Sequence, residues 1–502
     1  MKPRSRRISQ ERLTEIALFL VLLICYIYTP PRWADWNQNS RFDLVVAIVD
    51  HGTLSIDCCV ANTGDYAVFE GHTYSDKAPG LALMGVPAYF VFNRIAAIGP
   101  VQSVINRLAH SDALGATLRE GGTGLLTEKI HFSLGLTFAT FLLVCLPSAL
   151  LGVLFYRFLG AFVADPLRRL GVTLVYGLTT IAFTYAGSFY SHQFVAVLLF
   201  AAFALVFWLR PENDGVGRLV LIGVLLGISV ITEYPTALIA GLIVLYALVR
   251  LPVKARLGWI ILGGLGPGLL SAVYHYSIYR TPLPVGYEYS ALWQTQHGTG
   301  FMSLTYPKLD ILWGITGSPY RGLFFLSPIL LLAIPGFVYL WQERRYRLEA
   351  LLSFLAVLGF LAFNSSSSMW WGGFAVGPRY LIPMVPFLAW PLIMFLERHG
   401  RSWWGKALFG GLAALSFVLV WGLTLAGQSY PEEIWSFPWR DYALPHLVRG
   451  DLARNFGMAA GLPGWWSLAP LAAMVLVIVI GWQVLVRRAN VAAAAEKQTR
   501  TL

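Results

Sequence analysis

Acidic side chains that could act as bases or metal ligands are concentrated in one polar segment near the start of the chain, residues 35–80. Its basic residues are only Arg41 and Lys77, whereas its acidic residues are Asp35, Asp43, Asp50, Asp57, Asp65, Glu70 and Asp76. Carboxylates perform proton transfer or bind metals only where water or substrate reaches them. A polar, Gly- and Asn-containing segment that follows an apolar run is therefore predicted to be an active-site loop.

Asp43 lies in a short helical pattern within this segment. Ser40 and Asp43 have the spacing of a helix start, and the apolar residues that follow at helical spacing are Phe42, Val45, Val46 and Val49. The pattern predicts an amphipathic helix lying on the membrane. Asp43 is either its capping carboxylate or a group that points into a cleft.

Asp76 and Lys77 are an adjacent acid and base at the point where the chain returns to an apolar run. A lysine there can neutralise a lipid phosphate, or it can simply extend its ammonium group to the headgroup layer. Farther on, His192 and Glu233 stand at the ends of apolar runs. They could ligate a divalent metal, line the acceptor site, or make structural polar contacts between helices.

Aromatic residues and arginines in later loops are candidate ligands of a sugar or a phosphate. The segment 279–321 contains Tyr287 and Arg321, and rings can cover sugar faces while Arg can clamp a phosphate. A plain interfacial belt explains the aromatic residues equally well. Arg379, followed by Tyr380, opens an apolar run, which is favourable mainly if an anion meets the guanidinium.

Several function classes find no support in the sequence. It contains no Gly-rich nucleotide-phosphate loop, no His-Glu-X-X-His and no Gly-X-Ser-X-Gly. The four cysteines form no metal pattern, and a disulfide between the adjacent Cys58 and Cys59 would be strained. The net charge of +11 has to be sorted by side of a membrane before it is interpreted, and no nucleic-acid partner is predicted.

The elements that must position these residues are apolar. The chain has 502 residues, of which 57% are hydrophobic and 13% charged, and its apolar runs approach the ~20 residues that cross a bilayer. We predict an all-α polytopic membrane protein with about twelve transmembrane helices. They lie near 14–30, 132–153, 170–188, 190–209, 219–232, 236–250, 257–278, 322–341, 348–364, 380–396, 406–426 and 467–486.

The run 81–98 decides the topology. If it lies in the interface or re-enters, the cytoplasmic side has 23 Lys and Arg against 9 Asp and Glu, and the outer side has 14 against 17. This split follows the Lys and Arg bias of cytoplasmic loops. Both termini are then cytoplasmic, in the cytoplasmic (inner) membrane, and a large first loop that carries interfacial helices lies outside. The outer loops are 31–131, 279–321, 365–379 and 427–466.

These features together resemble the GT-C superfamily of integral-membrane glycosyltransferases. The chain is most similar to the branch that contains protein O-mannosyltransferases and lipid A aminoarabinose transferases. In architecture the resemblance covers most of the chain, and in motif about fifty residues. The matching elements are a first span, the helix Asn39-Ser40-Arg41-Phe42, the turn at Gly52, the step Asp76-Lys77-Ala78-Pro79 and the run from Gly377 to Pro383.

The resemblance implies a transmembrane catalytic module over 1–321 and a C-terminal transmembrane region over 322–502. It also implies a polyprenyl-phosphate sugar donor and a catalytic carboxylate in the first outer loop. The family places an Asp-Glu pair where this chain has Gln38 and Asn39. The catalytic role is therefore assigned to Asp43, the nearest carboxylate, or to Asp76.

The hypothesis is a glycosyltransferase that moves a sugar to a glycan, lipid or protein acceptor on the outer face. A carboxylate takes the acceptor proton, and Lys77, Arg379, Tyr380 and Arg321 contact the donor phosphate. The residues expected to position the first-loop helix and the substrate are Arg41, His192, Glu233 and Tyr287. Whether a divalent metal takes part is left open. The alternative is a flippase for lipid-linked sugars, which needs access from both faces and no proton acceptor.

Overall fold

The computed structural model describes residues 10–30, 35–109, 127–209, 215–300 and 303–501. Most of the basic N-terminal residues and parts of the predicted first outer loop lie outside the described residues. Nearly all regular structure is helical, apart from one two-stranded antiparallel sheet.

The first third of the chain alternates long helices with the polar segment. Its elements are α1 (Gln10–Ile27), α2 (Trp36–His51), β1 (Tyr66–Phe69), β2 (His72–Ser75), α3 (Gly80–Ala96), α4 (Gly99–Ala109), α5 (Thr127–Thr140), α6 (Leu146–Leu159), α7 (Pro166–Thr179) and α8 (Ala182–Ala186). A π-helical turn, Phe141–Cys145, joins α5 to α6.

The middle and C-terminal parts are helical throughout. Their α-helices are α9 (Ser191–Phe207), α10 (Val216–Thr232), α11 (Ala237–Arg250), α12 (Leu257–Tyr279), α13 (Gln294–His297), α14 (Leu309–Thr316), α15 (Leu323–Leu326), α16 (Ala333–Gln342), α17 (Arg347–Ser365), α18 (Val385–Ala389), α19 (Leu392–His399), α20 (Trp403–Leu425), α21 (Leu444–Arg449), α22 (Phe456–Ala459) and α23 (Ala469–Thr501). Short 3-10 segments that matter below are Val60–Asn62, Tyr234–Thr236, Gly286–Tyr289 and Arg379–Met384.

Among the described residues, six helical stretches are long and apolar enough to cross a membrane, which indicates a multi-pass membrane protein. They are Lys129–Leu159, Lys254–Tyr279, Arg344–Ser365, Arg379–His399, Trp403–Leu425 and Gly464–Val491. Four apolar helices are shorter, so the prediction of about twelve spans is not confirmed. The predicted span 322–341 is broken where Pro328, which lacks an N–H, interrupts the helix.

The predicted interfacial run 81–98 forms α3, which is bent by 96° against α4. Counted as one span, the bent pair would bring the number of long apolar stretches to seven. A bend of this size is also the geometry of a re-entrant segment, so the side of the membrane on which the later loops lie remains a prediction.

Helix α2 differs from its prediction. It begins at Trp36, four residues before Ser40, because the Asp35 carboxylate caps it by accepting a hydrogen bond from the Gln38 N–H at 3.3 Å. Residues 37–47 are all buried, so the helix lies inside the protein and is not half exposed. Its Phe42 ring packs edge-on against Tyr89, Phe132 and Phe189, at centroid distances of 5.0–5.8 Å.

Candidate active site

A two-residue hairpin turn assembles the first part of the site. Glu70 and Gly71 both have positive φ, as a tight hairpin requires, and β1 then pairs with β2 so that Tyr66 lies opposite Ser75. The residues one step farther out are Asp65 and Asp76. The hairpin therefore brings together two carboxylates that are eleven positions apart in the sequence.

Lys77 joins these two carboxylates. Its Nζ lies 2.9 Å from Asp65 Oδ2 and 3.0 Å from Asp76 Oδ1. The second oxygen of Asp65 accepts a hydrogen bond from Trp293 Nε1 at 3.1 Å, and that of Asp76 accepts one from Ser290 Oγ at 3.1 Å. We call these three charged residues the Lys77 cluster.

The three charged residues of the Lys77 cluster shift one another's pKa. Burial alone would raise the pKa of Asp65, but Lys77 outweighs it and holds that pKa below its ordinary value. Burial and the charge of Asp65 raise the pKa of Asp76. Burial would lower the pKa of Lys77, yet the two carboxylates raise it, so the ammonium stays charged.

A second ion pair ties α2 to the ends of two apolar helices. Arg41 Nη2 donates to Glu233 Oε1 at 3.0 Å and to Ser191 Oγ at 2.9 Å. Ser191 also donates to Glu233, and His192 Nδ1 lies 3.6 Å from the same oxygen. These contacts hold the first polar segment against the start of α9 and the end of α10.

Gly80 allows the polar segment to approach α10 closely. A Cβ at this position would lie 2.8 Å from the Thr232 Cα, which real side chains essentially never allow. The chain therefore leaves the Lys77 cluster and enters α3 in direct backbone contact with the residue that precedes Glu233.

The third part of the site surrounds Arg379. Its guanidinium lies 4.9 Å from the Tyr190 ring centre and 5.3 Å from that of Tyr380, which suits cation–π contact. The Tyr190 hydroxyl donates to the Asp35 carboxylate. Within the described residues, Arg379 Nε has no hydrogen-bond partner although it is buried. We call Asp35, Tyr190, Arg379 and Tyr380 the Arg379 cluster.

A glycine-containing loop covers Arg379. Gly372 has a φ of +74°, and a Cβ there would lie 3.2 Å from Arg379 Nε. Arg321, which is fully buried, donates to the Gly373 carbonyl at 2.8 Å and to the Ala375 carbonyl. Arg321 therefore holds this loop in place through its backbone.

The carboxylate of Asp35 is the group of the Arg379 cluster whose pKa lies nearest to neutral pH. Burial raises the pKa of Asp35 to about 6, although the Tyr190 hydrogen bond and the charge of Arg379 oppose the rise. Asp65 also raises the Asp35 pKa, and Arg379 lowers that of Asp65. The two clusters are thus close enough to influence each other electrostatically.

A narrow crevice opens beside the Lys77 cluster. Tyrosine and histidine side chains dominate its lining, which consists of Ser75, Asp76, Lys77, Tyr234, Tyr274, His275, Tyr279, Pro284, Gly286 and Tyr287. The crevice leaves no space that a water molecule could occupy. A ligand that enters it must displace these rings.

Asp43, the base assigned from the sequence, lies apart from these groups. It is fully buried, its Oδ1 accepts from Asn62 Nδ2 at 3.0 Å, and its Oδ2 has no partner within the described residues. Burial raises the pKa of Asp43 to about 8, opposed only by the Asn62 hydrogen bond. The carboxyl is therefore protonated at neutral pH and points away from the cations.

The structure places most predicted site residues together. Those that lie within or beside the three charged groups are Arg41, Asp76, Lys77, His192, Glu233, Tyr287, Arg379 and Tyr380. Sequence reasoning missed the roles of Asp35 and Asp65. The Glu-Gly pair between two short alternating runs would have predicted the hairpin, and with it the pairing of Asp65 and Asp76.

His192 and Glu233 are poorly arranged to bind a divalent metal together. The Glu233 oxygen nearest His192 already accepts from Arg41 and Ser191, and the guanidinium would repel a second cation. A divalent metal at this pair stays a prediction.

Comparisons of the chain with protein-family models, with curated proteins and with solved structures find no match. The function is therefore argued from the site itself.

Proposed function

We propose that this chain is a membrane glycosyltransferase that transfers a sugar from a polyprenyl-phosphate donor to an acceptor at the outer face of the inner membrane. One observation carries the proposal: buried carboxylates and buried cations converge where the first polar segment meets the ends of apolar helices. Carboxylates can accept a proton there, and cations can stabilise a leaving phosphate, which are the two needs of glycosyl transfer from such a donor.

The arrangement favours Arg379 as the first contact of the donor phosphate. Lys77 is already paired with Asp65 and Asp76, whereas Arg379 keeps an unpaired buried N–H among the described residues. Phosphate bound there gains charge-assisted hydrogen bonds and satisfies that donor. Tyr380 lies in the same cluster, while Arg321 acts by holding the covering loop.

Asp35 suits the role of base better than Asp43. It is half-buried, whereas Asp43 is fully buried, and its pKa of about 6 leaves it ionised at neutral pH. In the proposed step the acceptor hydroxyl loses its proton to this carboxylate, and the acceptor oxygen bonds to the anomeric carbon. The bond from that carbon to the phosphate oxygen breaks, and the lipid phosphate leaves with the electron pair.

An apolar groove offers a place for the donor chain. A cavity of about 170 Å³ between α10, α11 and α12 is lined by glycines and aliphatic residues. Among its lining residues on α10, the nearest in sequence to Glu233 is Val230, about one helical turn before it. A polyprenyl chain lying there would reach the site without crossing polar surface.

The function is tested with purified full-length protein in nanodiscs and a radiolabelled polyprenyl-phosphate sugar. A transferase releases polyprenyl phosphate when an extract of envelope glycans, lipids and proteins is added, and the label moves to one of these acceptors. A flippase would instead move the intact donor between leaflets of a proteoliposome without releasing polyprenyl phosphate. Movement of the intact donor without release of polyprenyl phosphate would contradict the proposed transferase and support a flippase.

A further inference from the structure

Two cysteines and a histidine come together at the protein surface in the first polar segment, and none of them belongs to the Lys77 cluster or the Arg379 cluster. The donor atoms of His51, Cys58 and Cys59 all lie within 4.8 Å of one another. His51 and Cys58 are exposed and Cys59 is half-buried, so the group is accessible from solvent. The two cysteine sulfurs are bonded to each other in this structure.

We propose that, once the Cys58–Cys59 disulfide is reduced, these three residues bind one thiophilic divalent cation of the Zn²⁺ class. Two thiolates and one imidazole are a donor set that Zn²⁺ prefers, and water completes the tetrahedron at an exposed site. The proposal is independent of glycosyl transfer.

The chemistry balances with an external dithiol as reductant. The dithiol gives two electrons and two protons to the Cys58–Cys59 disulfide and becomes a disulfide itself. Metal binding then releases both thiol protons, because the ligands are thiolates. The oxidised pair offers no thiolate and leaves His51 alone.

The position in the fold favours a cation. His51 is the last residue of α2, where the unpaired carbonyls of the last helical turn place partial negative charge. The neighbouring His72 is not one of the donors that lie within 4.8 Å of one another, and its Nδ1 lies 2.7 Å from Asp57 Oδ2. His72 therefore serves as a matched control.

A metal here would fasten a loop that contacts α2. Cys59 is followed directly by the 3-10 segment Val60–Asn62. Asn62 donates to Asp43 at 3.0 Å, and its carbonyl accepts from Asn39 Nδ2 at 2.7 Å. Closing the loop at His51 would restrict the segment that holds α2 from its outer side.

The test uses full-length protein in detergent, stripped of metal and treated with excess dithiol. Titration with Co²⁺, read by its thiolate charge-transfer absorption, and competition with Zn²⁺ should give one site. Cys58→Ser, Cys59→Ser and His51→Ala should each weaken binding by at least about tenfold, since changes even to groups behind metal ligands cost ten- to a hundredfold. The non-reduced protein, with the pair oxidised, should bind neither metal.

His72→Ala and Cys25→Ala should bind as the parent protein does, because His72 lies outside the group of converging donors and Cys25 is buried. Three results would overturn the proposal: equal affinity in Cys58→Ser, an equal loss in His72→Ala, or a disulfide that excess dithiol leaves intact.

Discussion

The two cations of the candidate active site, Lys77 and Arg379, are both buried but have opposite surroundings. Lys77 sits between two carboxylates at 2.9 and 3.0 Å. Arg379 sits between two aromatic rings, with one N–H unpaired in the described part of the chain. A buried charge that is already paired is costly to disturb, whereas an incompletely paired one gains from a ligand. We infer that Lys77 organises the site and that Arg379 binds the anion.

The largest expected effect concerns the carboxylate beside Arg379. Asp35→Asn keeps the shape and the helix cap but removes the proton acceptor, so turnover should fall by about 10²–10⁴-fold. The matched control is Asp43→Asn, which should leave turnover near the parent value because Asp43 is protonated and remote from the cations. Sugar release from radiolabelled donor measures both.

The pH profile of the parent protein sharpens this assignment. A base with a pKa of about 6 is half ionised at that pH, so turnover should be half-maximal near pH 6 and level off roughly one pH unit above it. A profile that still rises toward pH 8, together with an inactive Asp43→Asn, would return the role to Asp43.

Lys77 is expected to affect stability first. Lys77→Met leaves Asp65 and Asp76 buried and mutually repelling, and breaking a buried pair in this way costs about 3–5 kcal/mol. Thermal unfolding in detergent should show the loss, and the triple variant Lys77→Met, Asp65→Asn, Asp76→Asn should recover most of it. A stable Lys77→Met protein with weak donor binding would instead make Lys77 the phosphate contact.

Arg379→Met should lower donor affinity by roughly ten- to a hundredfold, the equivalent of one charged hydrogen-bonded contact of about 1.5–3 kcal/mol. Arg379→Lys should recover only part, because an ammonium cannot reproduce the stacking between Tyr190 and Tyr380. Binding of the labelled donor lipid to purified protein measures the change. If Arg379→Met binds the donor lipid as tightly as the parent protein does, Arg379 is not the residue that binds the donor phosphate.

The last prediction concerns how the stability of the protein depends on pH through Asp43. Its pKa is raised from 3.8 to about 8 in the folded protein, so stability is lost as pH rises between these values, where only the unfolded chain has released the proton. Asp43→Asn removes this dependence. Its melting temperature should therefore exceed that of the parent protein by more at pH 8 than at pH 5.

Much of the site could be predicted because its members have local signatures. Asp76 and Lys77 are adjacent, Arg379 opens an apolar run, and Glu233 interrupts another, so each was identified without knowledge of the fold. Asp35 and Asp65 were not, because their importance depends on partners far away in sequence: Tyr190 for Asp35, and Lys77 across the hairpin for Asp65.

The surroundings of the helices were harder to predict than their existence. The helical spacing of Phe42 and Val45 correctly indicated a helix, but spacing alone does not say whether the other face meets lipid, water or protein. Packing against α3 and α5 buried Asp43 with the rest of α2. The count of about twelve spans is not confirmed, and one predicted span is interrupted because Pro328 breaks a run whose hydropathy is continuous.

The closed tyrosine-lined crevice bears on fidelity. Water is by far the most abundant hydroxyl compound at a membrane surface. A glycosyltransferase that admits water to its donor hydrolyses the donor and releases free sugar. The crevice beside the Lys77 cluster has no room for a water molecule, so under the proposed function water could not approach from that side, and only a ligand able to part the rings would gain entry. Under the same proposal, widening the crevice should favour hydrolysis of the donor before it slows the transfer.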